Sequence, residues 1–345
     1  FGHLAGDRVL AETASRISMV MHKDSRLARF GGDEFVIYRG GSITPGTDIS
    51  EATAILRAVS APFEIDGQPV EMRLSVGFVT HADPSANLDE LTARADLALA
   101  RAKAQGKGQW LKFEEEMDGE FRYRQRLKAD LRAAIAEDAL TLVYQPLIDI
   151  RTNRVTACEA LARWTHPTLG QIPPMVFIPL AEEIGLVPEI TRWVLGAATR
   201  QCMHWPDPVA VSVNVSGRDL RTDALGRHIE QALAESGLPA NRLEIEVTET
   251  ALIEERSGAA EKLRAIAARG VGIALDDFGT GYSSLSYLHA LPFTKLKMDQ
   301  SFVADLTTNA RSLRLLANVA RLGKDLELVV TAEGIETQEQ LDVIA

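Results

Sequence analysis

The sequence has few cysteines and no long apolar run, and each shortage excludes a class of protein. Its two cysteines, Cys158 and Cys202, lie in apolar surroundings without CxxC or Cys/His spacing. This excludes a disulfide scaffold or a zinc site and fits a reducing cytoplasm. No apolar run approaches the roughly 20 residues of a membrane span, and the first residues lack a signal-sequence pattern. Attachment to a membrane would therefore need a segment upstream of Phe1.

Basic residues are also fewer than acidic residues. The chain has 37 Lys and Arg against 48 Asp and Glu, for a net charge of −11. A surface of this kind lacks the basic excess of a general nucleic-acid binder, so we expect no nucleic-acid partner, and an anionic ligand would need local cations or metal ions. What remains is an ordinary globular composition, with 46% hydrophobic residues over 345 positions, which predicts two domains.

The first predicted domain, 1–113, alternates helical and β patterns, which is typical of an α+β or α/β domain. Apolar periodicity predicts helices over 7–17, 49–59 and 88–103, and strands over 26–30 and 35–38 on either side of a Gly-Gly-Asp-Glu turn. Residues 63–65 and 70–80 predict a hairpin that turns at Asp66-Gly67. The segment 114–138 is highly charged, with helical spacing of Leu127, Leu131 and Ile135. It predicts a linker helix.

The second predicted domain, 139–345, alternates apolar runs with helical segments. The strand candidates are 142–145, 155–159, 209–215, 243–248, 271–276, 296–299 and 326–332. Such alternation is typical of a parallel sheet, and the number of strand candidates predicts an α/β barrel of eight βα units rather than an open sheet. The last βα unit is expected to lie beyond Ala345.

Polar side chains stand at or just past the ends of these strands, where a barrel places its chemistry. They are Glu159, Asn214, Glu246, Glu249, Asp276, Asp277, Lys297 and Glu333. Taken singly, such acids also cap helices or form surface pairs. Converging carboxylates repel one another unless cations intervene, and all-oxygen ligands favour Mg²⁺ or Mn²⁺.

The adjacent pair Asp276-Asp277 has the composition of a two-metal centre, in which one carboxylate bridges two ions. Such centres hydrolyse phosphodiesters. Lys297 would orient the attacking water or help to deprotonate it, and Arg163 would clamp a phosphate oxygen.

Several segments, in order, resemble the EAL domain of cyclic-di-GMP phosphodiesterases. They are Tyr144-Gln145-Pro146, Glu159-Ala160-Leu161-Ala162-Arg163-Trp164, Val213-Asn214-Val215-Ser216, Glu244-Ile245-Glu246-Val247-Thr248-Glu249-Thr250, the Asp276-Asp277-Phe278-Gly279-Thr280-Gly281-Tyr282-Ser283-Ser284-Leu285 run, Lys297-Met298-Asp299 and Ala332-Glu333-Gly334-Ile335-Glu336-Thr337. The family has a further strand with a Gln-Gly-Tyr segment, and this sequence ends before it.

The resemblance implies hydrolysis of cyclic-di-GMP to linear pGpG with two Mg²⁺ or Mn²⁺ ions. By resemblance, Glu159, Asn214, Glu246 and Asp276 hold one ion, and Asp276, Asp277 and Glu333 hold the other. Glu249 would fix the Asp-Asp-Phe-Gly loop, and Lys297 would hold the hydrolytic water. Gln145 and Arg163 are expected to contact substrate.

The first domain resembles the GGDEF domain of diguanylate cyclases. The resemblance lies in Phe1-Gly2-His3-Leu4-Ala5-Gly6-Asp7, Gly31-Gly32-Asp33-Glu34-Phe35 and Ala95-Asp96-Leu97-Ala98-Leu99 with Lys103, Gly106 and Lys107. It implies GTP binding: Asp7 at guanine, Asp33 and Glu34 at the metal ion, Gly31 and Gly32 near the triphosphate, and Lys103 and Lys107 at phosphates. Without the flanking match, two glycines in a hairpin would indicate only a turn.

Parts of the cyclase pattern differ or cannot be inspected. The family's upstream metal-binding Asp and guanine-contacting Asn would precede Phe1. The inhibitory product site, an Arg-x-x-Asp, maps onto His22 and Ser25, so we expect that site to be absent.

Three functional interpretations follow. The chain hydrolyses cyclic-di-GMP; its first domain also makes cyclic-di-GMP from GTP, which requires a homodimer; or it is a non-catalytic receptor for either nucleotide. Intact Glu159, Asp276, Asp277 and Lys297 favour the hydrolase.

Overall fold

A computed structural model describes residues 2–41, 46–65, 68–81, 86–137, 139–254, 258–279, 288, 290–304 and 306–344. The chain divides into two compact units, 1–125 and 126–345. In the described residues, no helix is both long enough and apolar enough to cross a membrane.

The first unit combines helices with three two-stranded sheets. Its elements are α1 (Gly2–Val20), β1 (Ser25–Gly31), β2 (Glu34–Arg39), α2 (Thr47–Ser60), β3 (Phe63–Ile65), β4 (Gln68–Val70), β5 (Val76–Phe78), α3 (Leu88–Ala104) and β6 (Trp110–Lys112). Strands β1 and β2 pair antiparallel, as do β3 and β4, whereas β5 and β6 pair parallel. Ile17, Ile55 and Val59 form the buried core of this unit.

The prediction of a single strand over residues 70–80 is wrong in part. The run 70–80 is not the second arm of a single hairpin, because β4 ends at Val70 and the chain re-enters a strand only at Val76. That later strand, β5, pairs with β6, which local periodicity did not predict. Pairing between segments that are distant in sequence decides this division. The turn at residues 66–67 lies outside the described residues.

A helix, α4 (Glu115–Ala136), spans the junction of the two units. The second unit continues with β7 (Leu140–Asp149), β8 (Arg154–His166), β9 (Gly170–Ile172), α5 (Pro174–Ile184), α6 (Val187–Cys202), β10 (Ala210–Val215), α7 (Ala224–Ser236), β11 (Leu243–Thr248), α8 (Glu249–Glu254), α9 (Ala259–Ala267), β12 (Gly272–Phe278), β13 (Lys295–Met298), α10 (Ser301–Ala304), α11 (Ala310–Asp325), β14 (Val329–Ala332) and α12 (Gln338–Ile344).

The strands of the second unit form a curled sheet, and the predicted α/β barrel architecture is confirmed for this part of a barrel. The strand order is β14-β13-β12-β11-β10-β8-β7, with β9 attached to β8. Pairing is parallel from β8 through β10 to β14. Alternate side chains such as Val213 and Ile245 are fully buried in the core, which leaves the other face of each strand for polar groups.

The beginning of this sheet differs from the prediction. Strands β7 and β8 form an antiparallel hairpin, and β8 continues to His166 rather than ending at Glu159. Glu159 therefore lies within a strand. The last strand starts at Val329, three residues later than predicted, after a turn in which Glu327 has a φ of 58°.

Candidate active site

Four carboxylates converge on one buried lysine inside the curled sheet. The Nζ of Lys297 lies 2.7 Å from Glu333 Oε1, 3.2 Å from Asp276 Oδ1 and 3.3 Å from Glu159 Oε2. It also donates a hydrogen bond to Glu246 Oε2. Lys297 is 1% exposed, whereas the Glu333 side chain is 34% exposed, so the lysine is buried while one edge of the cluster reaches solvent.

Sheet register explains how residues so distant in sequence meet. Asn214 of β10 is paired with Glu246 of β11, and Glu159 of β8 is paired with Ser212 two residues earlier on β10. Paired residues of parallel strands point to the same face. The Nδ2 of Asn214 accordingly donates a 2.6 Å hydrogen bond to Glu159 Oε1. The amide thus belongs to the same polar cluster as the carboxylates.

Burial and mutual charge shift the pKa of these groups. Burial by itself lowers the pKa of Lys297, but the surrounding carboxylates, Glu246 first, outweigh it and raise that pKa well above its ordinary range. Burial raises the pKa of Glu246 to about 7, although Lys297 opposes the rise. Burial likewise raises the pKa of Glu333. Lys297 therefore remains an ammonium at neutral pH, which favours orienting a water over deprotonating it.

The donor set fits divalent metal ions. The site offers carboxylate and amide oxygens alone, and Glu246 Oε1 is buried without a hydrogen-bond partner among the described residues. Hard cations such as Mg²⁺ and Mn²⁺ prefer these ligands. As placed around Lys297, the described side chains include no group of three or more His, Cys, Asp or Glu arranged so that it could hold a metal ion.

The backbone is irregular at the adjacent aspartates Asp276 and Asp277. In a regular strand Asp276 and Asp277 would point to opposite faces. Between Leu275 and Phe278 the register with β13 shifts, and Asp277 takes a left-handed φ of 54°. Burial and the neighbouring charge of Asp276 raise the pKa of Asp277. The predicted pairing of these two carboxylates thus depends on a backbone irregularity.

Two glycines allow the loops after the acidic residues to pass close to other chain segments. A Cβ on Gly279, whose φ is 98°, would lie 2.2 Å from Phe302 Cζ. A Cβ on Gly334, beside Glu333, would lie 2.6 Å from Gln300 Cβ. Any side chain would displace these loops, so glycine is required at both positions.

Comparison with known proteins assigns this unit. Residues 128–345 match the EAL domain. The chain belongs to the EAL domain family. Residues 1–109 match the diguanylate cyclase GGDEF domain, so both expected families are confirmed.

Individual relatives span both domains. An uncharacterized protein, y4lL of Sinorhizobium fredii, is 41% identical over the whole chain, which covers 42% of that protein. The bifunctional diguanylate cyclase/cyclic di-GMP phosphodiesterase MucR of Pseudomonas aeruginosa is 34% identical over the whole chain, which covers 51% of it. A solved structure of the PaMucR phosphodiesterase with c-di-GMP is 37% identical, with a TM-score of 0.60, covering 64% of this chain and 90% of that one. The chain thus spans about half or less of these curated relatives.

Three predicted EAL site residues stand outside the lysine cluster. Gln145 of β7 is exposed and is the register partner of Glu159. Arg163, four residues beyond Glu159 on β8, is half-buried, and its Nη1 donates to Ala162 O. Glu249 is buried at the start of α8. Its predicted contact with the Asp-Asp-Phe-Gly loop stays a prediction.

In the GGDEF domain, the structure brings together only part of the predicted site. Lys103 Nζ lies 3.7 Å from Glu34 Oε1, beside the exposed Gly31-Gly32 turn of the β1–β2 hairpin. Asp7, Asp33 and Lys107 are exposed, and no ion pair of the described residues joins them to Glu34 or Lys103.

Sequence reasoning missed one residue at the position of the family's product site, which was expected to be absent here. Glu51 Oε1 accepts hydrogen bonds from His22 N at 2.7 Å and Ser25 Oγ at 3.1 Å, and its other oxygen accepts from Arg39. Ser25 is 2% exposed. The negative charge of Glu51 at this position would repel an anionic ligand. Only the fold brings Glu51 here, since it lies 26 residues beyond Ser25 on α2.

Proposed function

We propose that the EAL domain hydrolyses cyclic-di-GMP to linear pGpG in a metal-dependent reaction. The convergence of Glu159, Glu246, Asp276 and Glu333 on Lys297 carries this proposal, because it gathers the family's acids at one buried point. The PaMucR phosphodiesterase, solved with c-di-GMP, supports the choice of substrate.

Mg²⁺ or Mn²⁺, when bound, would activate water and offset phosphate charge. The residues that would hold the ions are Glu159, Asn214, Glu246, Asp276, Asp277 and Glu333. The remaining residues would bind and orient. Arg163 and Gln145, which flank Glu159, would contact the substrate, with the guanidinium of Arg163 on a phosphate oxygen.

Lys297 would act as a fixed cation. Its ammonium donates hydrogen bonds and accepts none while its pKa stays raised, so it would orient the attacking water as a hydrogen-bond donor. Attack on phosphorus would break one phosphorus–oxygen bond of the ring and add the elements of water across it. The product then carries one new phosphomonoester and one free hydroxyl, as pGpG does.

The test is product analysis with matched variants. The protein is incubated with cyclic-di-GMP in Mg²⁺ or Mn²⁺, with and without EDTA, and the products are identified by chromatography. We expect pGpG only with metal. Asp276→Asn should retain the circular dichroism of the parent and lose activity by at least about 100-fold, since several kcal/mol of transition-state stabilisation depend on the metal ligands.

Lys295→Met serves as the control, because Lys295 lies on β13, the strand of Lys297, but pairs with Glu244 at 2.6 Å, outside the lysine cluster. It should keep activity. A parent that binds cyclic-di-GMP but releases no pGpG would support the alternative, a non-catalytic receptor.

For the GGDEF domain we propose binding of Mg²⁺ and GTP at the exposed Gly31-Gly32 turn, with Glu34 at the metal ion and Lys103 at a phosphate. The 3.7 Å approach of these two side chains supports it. Synthesis of cyclic-di-GMP from two GTP molecules would require two such domains in a homodimer. Calorimetric titration with GTP, in the parent and in Glu34→Gln, tests the binding step.

A further inference from the structure

The turn that follows β10 contains a buried carboxylate for which the proposed chemistry has no use. Asp219 begins a short 3-10 turn, Asp219–Arg221, and is 3% exposed. Its Oδ2 accepts hydrogen bonds from Ser216 N at 3.0 Å and from Thr191 Oγ1 of α6 at 2.9 Å. Both donors are neutral, whereas a buried carboxylate ordinarily has a cationic partner.

An ionised carboxylate at this buried position lowers the stability of the folded protein. Burial, together with the negative charges of Glu182 and Glu189, raises the pKa of Asp219 to about 6 against the two hydrogen bonds. Residues that break a folding rule without local compensation concentrate at functional sites. Asp219 lies in the turn directly after β10, the strand that carries the site residue Asn214, which points to a role for Asp219 at that site.

The same turn is tied to two more helices. Ser216 Oγ donates a 3.3 Å hydrogen bond to Glu182 Oε1 of α5. At Gly217 a Cβ would lie 3.3 Å from Ala251 Cα of α8. The turn is thus held between α5, α6 and α8, and Asp219 makes the contact with α6.

Asn214 lies two residues before Ser216, at the end of β10, and its amide donates to Glu159 Oε1 at 2.6 Å. The direction of that amide depends on where the turn fixes the end of the strand. We propose that Asp219 and Thr191 are positioning residues that hold Asn214 in the carboxylate cluster. This inference rests on the proposed function of that cluster.

Two substitutions on one helix separate positioning from general packing. Thr191→Val removes the hydroxyl that bonds Asp219 and keeps the shape of the side chain. Thr199→Val makes the same change eight residues later on α6, where the buried hydroxyl donates to Leu195 O at 2.8 Å and lies away from the turn. Both variants lose one buried hydroxyl, but only Thr191 contacts Asp219.

Asp219 itself allows a rescue experiment. Asp219→Ala removes the acceptor altogether. Asp219→Asn can place its amide oxygen where Oδ2 stands, and that oxygen accepts both hydrogen bonds. We therefore expect Asp219→Asn to keep most of the activity and Mn²⁺ affinity that Asp219→Ala loses.

The measurements are kcat and KM for cyclic-di-GMP, the Kd for Mn²⁺ by calorimetry, and Tm. We expect Thr191→Val and Asp219→Ala to lower kcat or weaken Mn²⁺ binding by roughly 10- to 100-fold, the usual effect of losing a residue that orients a ligand. Thr199→Val should match the parent in kcat and in Mn²⁺ affinity. In an Asn214→Ala background, neither substitution should cause further loss, because they act through Asn214.

Losses that are equally large in the Asn214→Ala background would overturn the inference, as would a Thr191→Val enzyme identical to Thr199→Val. If the parent binds Mn²⁺ but does not hydrolyse cyclic-di-GMP, the proposed function fails while Mn²⁺ affinity still decides the positioning role. A parent that neither hydrolyses nor binds Mn²⁺ overturns both.

Discussion

Lys297 is buried among more negative charge than it can neutralise. Removing the cation from a buried ion pair strands the opposite charge and typically costs about 3 to 5 kcal/mol. We therefore expect Lys297→Met to destabilise the metal-free second unit, as measured by urea unfolding in EDTA. Mg²⁺ should recover more stability in this variant than in the parent, because divalent ions can replace the missing charge.

The matched substitution, Lys295→Met, leaves one carboxylate unpaired instead of four, since Lys295 bonds only Glu244 among the described carboxylates. Its loss of stability should be smaller. Equal losses in the two variants, with equal responses to Mg²⁺, would contradict the view of Lys297 as the shared counter-ion.

Asp219 gives stability a defined dependence on pH. Its pKa is raised from 3.8 to about 6 in the folded protein, so the folded state binds the proton more tightly than the unfolded state. The stability that this group contributes is present at acidic pH and falls as pH rises from about 4 through 6. Asp219→Asn, which cannot ionise, should be more stable than the parent at pH 7.5, by at most roughly 3 kcal/mol.

Urea unfolding at several pH values measures that difference. The advantage of Asp219→Asn should shrink steadily below pH 6 and vanish near pH 4. A difference that does not change with pH would show that Asp219 keeps an ordinary pKa in the folded protein.

At the scale of elements, the β1–β2 hairpin and α2 decide whether the GGDEF domain can sense its product. Ser25 is buried, and Glu51 accepts hydrogen bonds from both Ser25 and the backbone of His22. We expect cyclic-di-GMP not to inhibit any diguanylate cyclase activity through this site. Neither His22 nor Ser25 has the guanidinium group that binds a phosphate with two hydrogen bonds.

Synthesis from GTP would be followed in a Glu159→Ala background, so that the product is not consumed. Inhibition by added cyclic-di-GMP that disappears in His22→Ala would refute the expectation, and a Glu51→Gln variant would then show whether this carboxylate limits binding.

Helix α4 is the element on which any communication between the domains would depend. Its residues from Arg126 onward belong to the second unit, where Leu127 and Leu131 are fully buried and Asp130 bonds the buried His166 at 2.9 Å. This end of the helix is part of the barrel packing. A flexible insertion that tests the linker must therefore precede Arg126.

At the scale of the whole molecule, we expect GTP bound to the GGDEF domain to alter the rate of cyclic-di-GMP hydrolysis, if GTP favours one of two arrangements of the chain. Inserting Gly-Ser-Gly-Ser after Gln125 should weaken that effect, because a flexible tether transmits orientation poorly. Hydrolysis is measured with and without saturating GTP.

The same insertion after Thr152, in the exposed β7–β8 turn, is the control and should preserve the GTP effect. If GTP binds and the parent's rate does not change, the domains act independently. If the insertion after Gln125 leaves a GTP effect intact, α4 is not its route.

Local pattern was enough for much of this architecture. The amphipathic helices, the α/β alternation after residue 139 and the acids of the second domain could be predicted because apolar periodicity and strand-end chemistry are properties of short segments. The ordered motifs were also enough to predict that Glu246, Asp276 and Lys297 belong to one family site.

Tertiary structure decided the rest, because it depends on pairing between distant segments. Periodicity could not reveal that β5 pairs with β6, or that β8 runs on past Glu159, since strand partners are chosen by register. The register between β12 and β13 shifts at Asp276 and Asp277, and the fold alone joins Glu51 to Ser25 and Asp219 to Thr191. The sequence determined which polar groups are available, and packing determined which of them meet in a low-dielectric interior, where charge and hydrogen bonding have their largest effects.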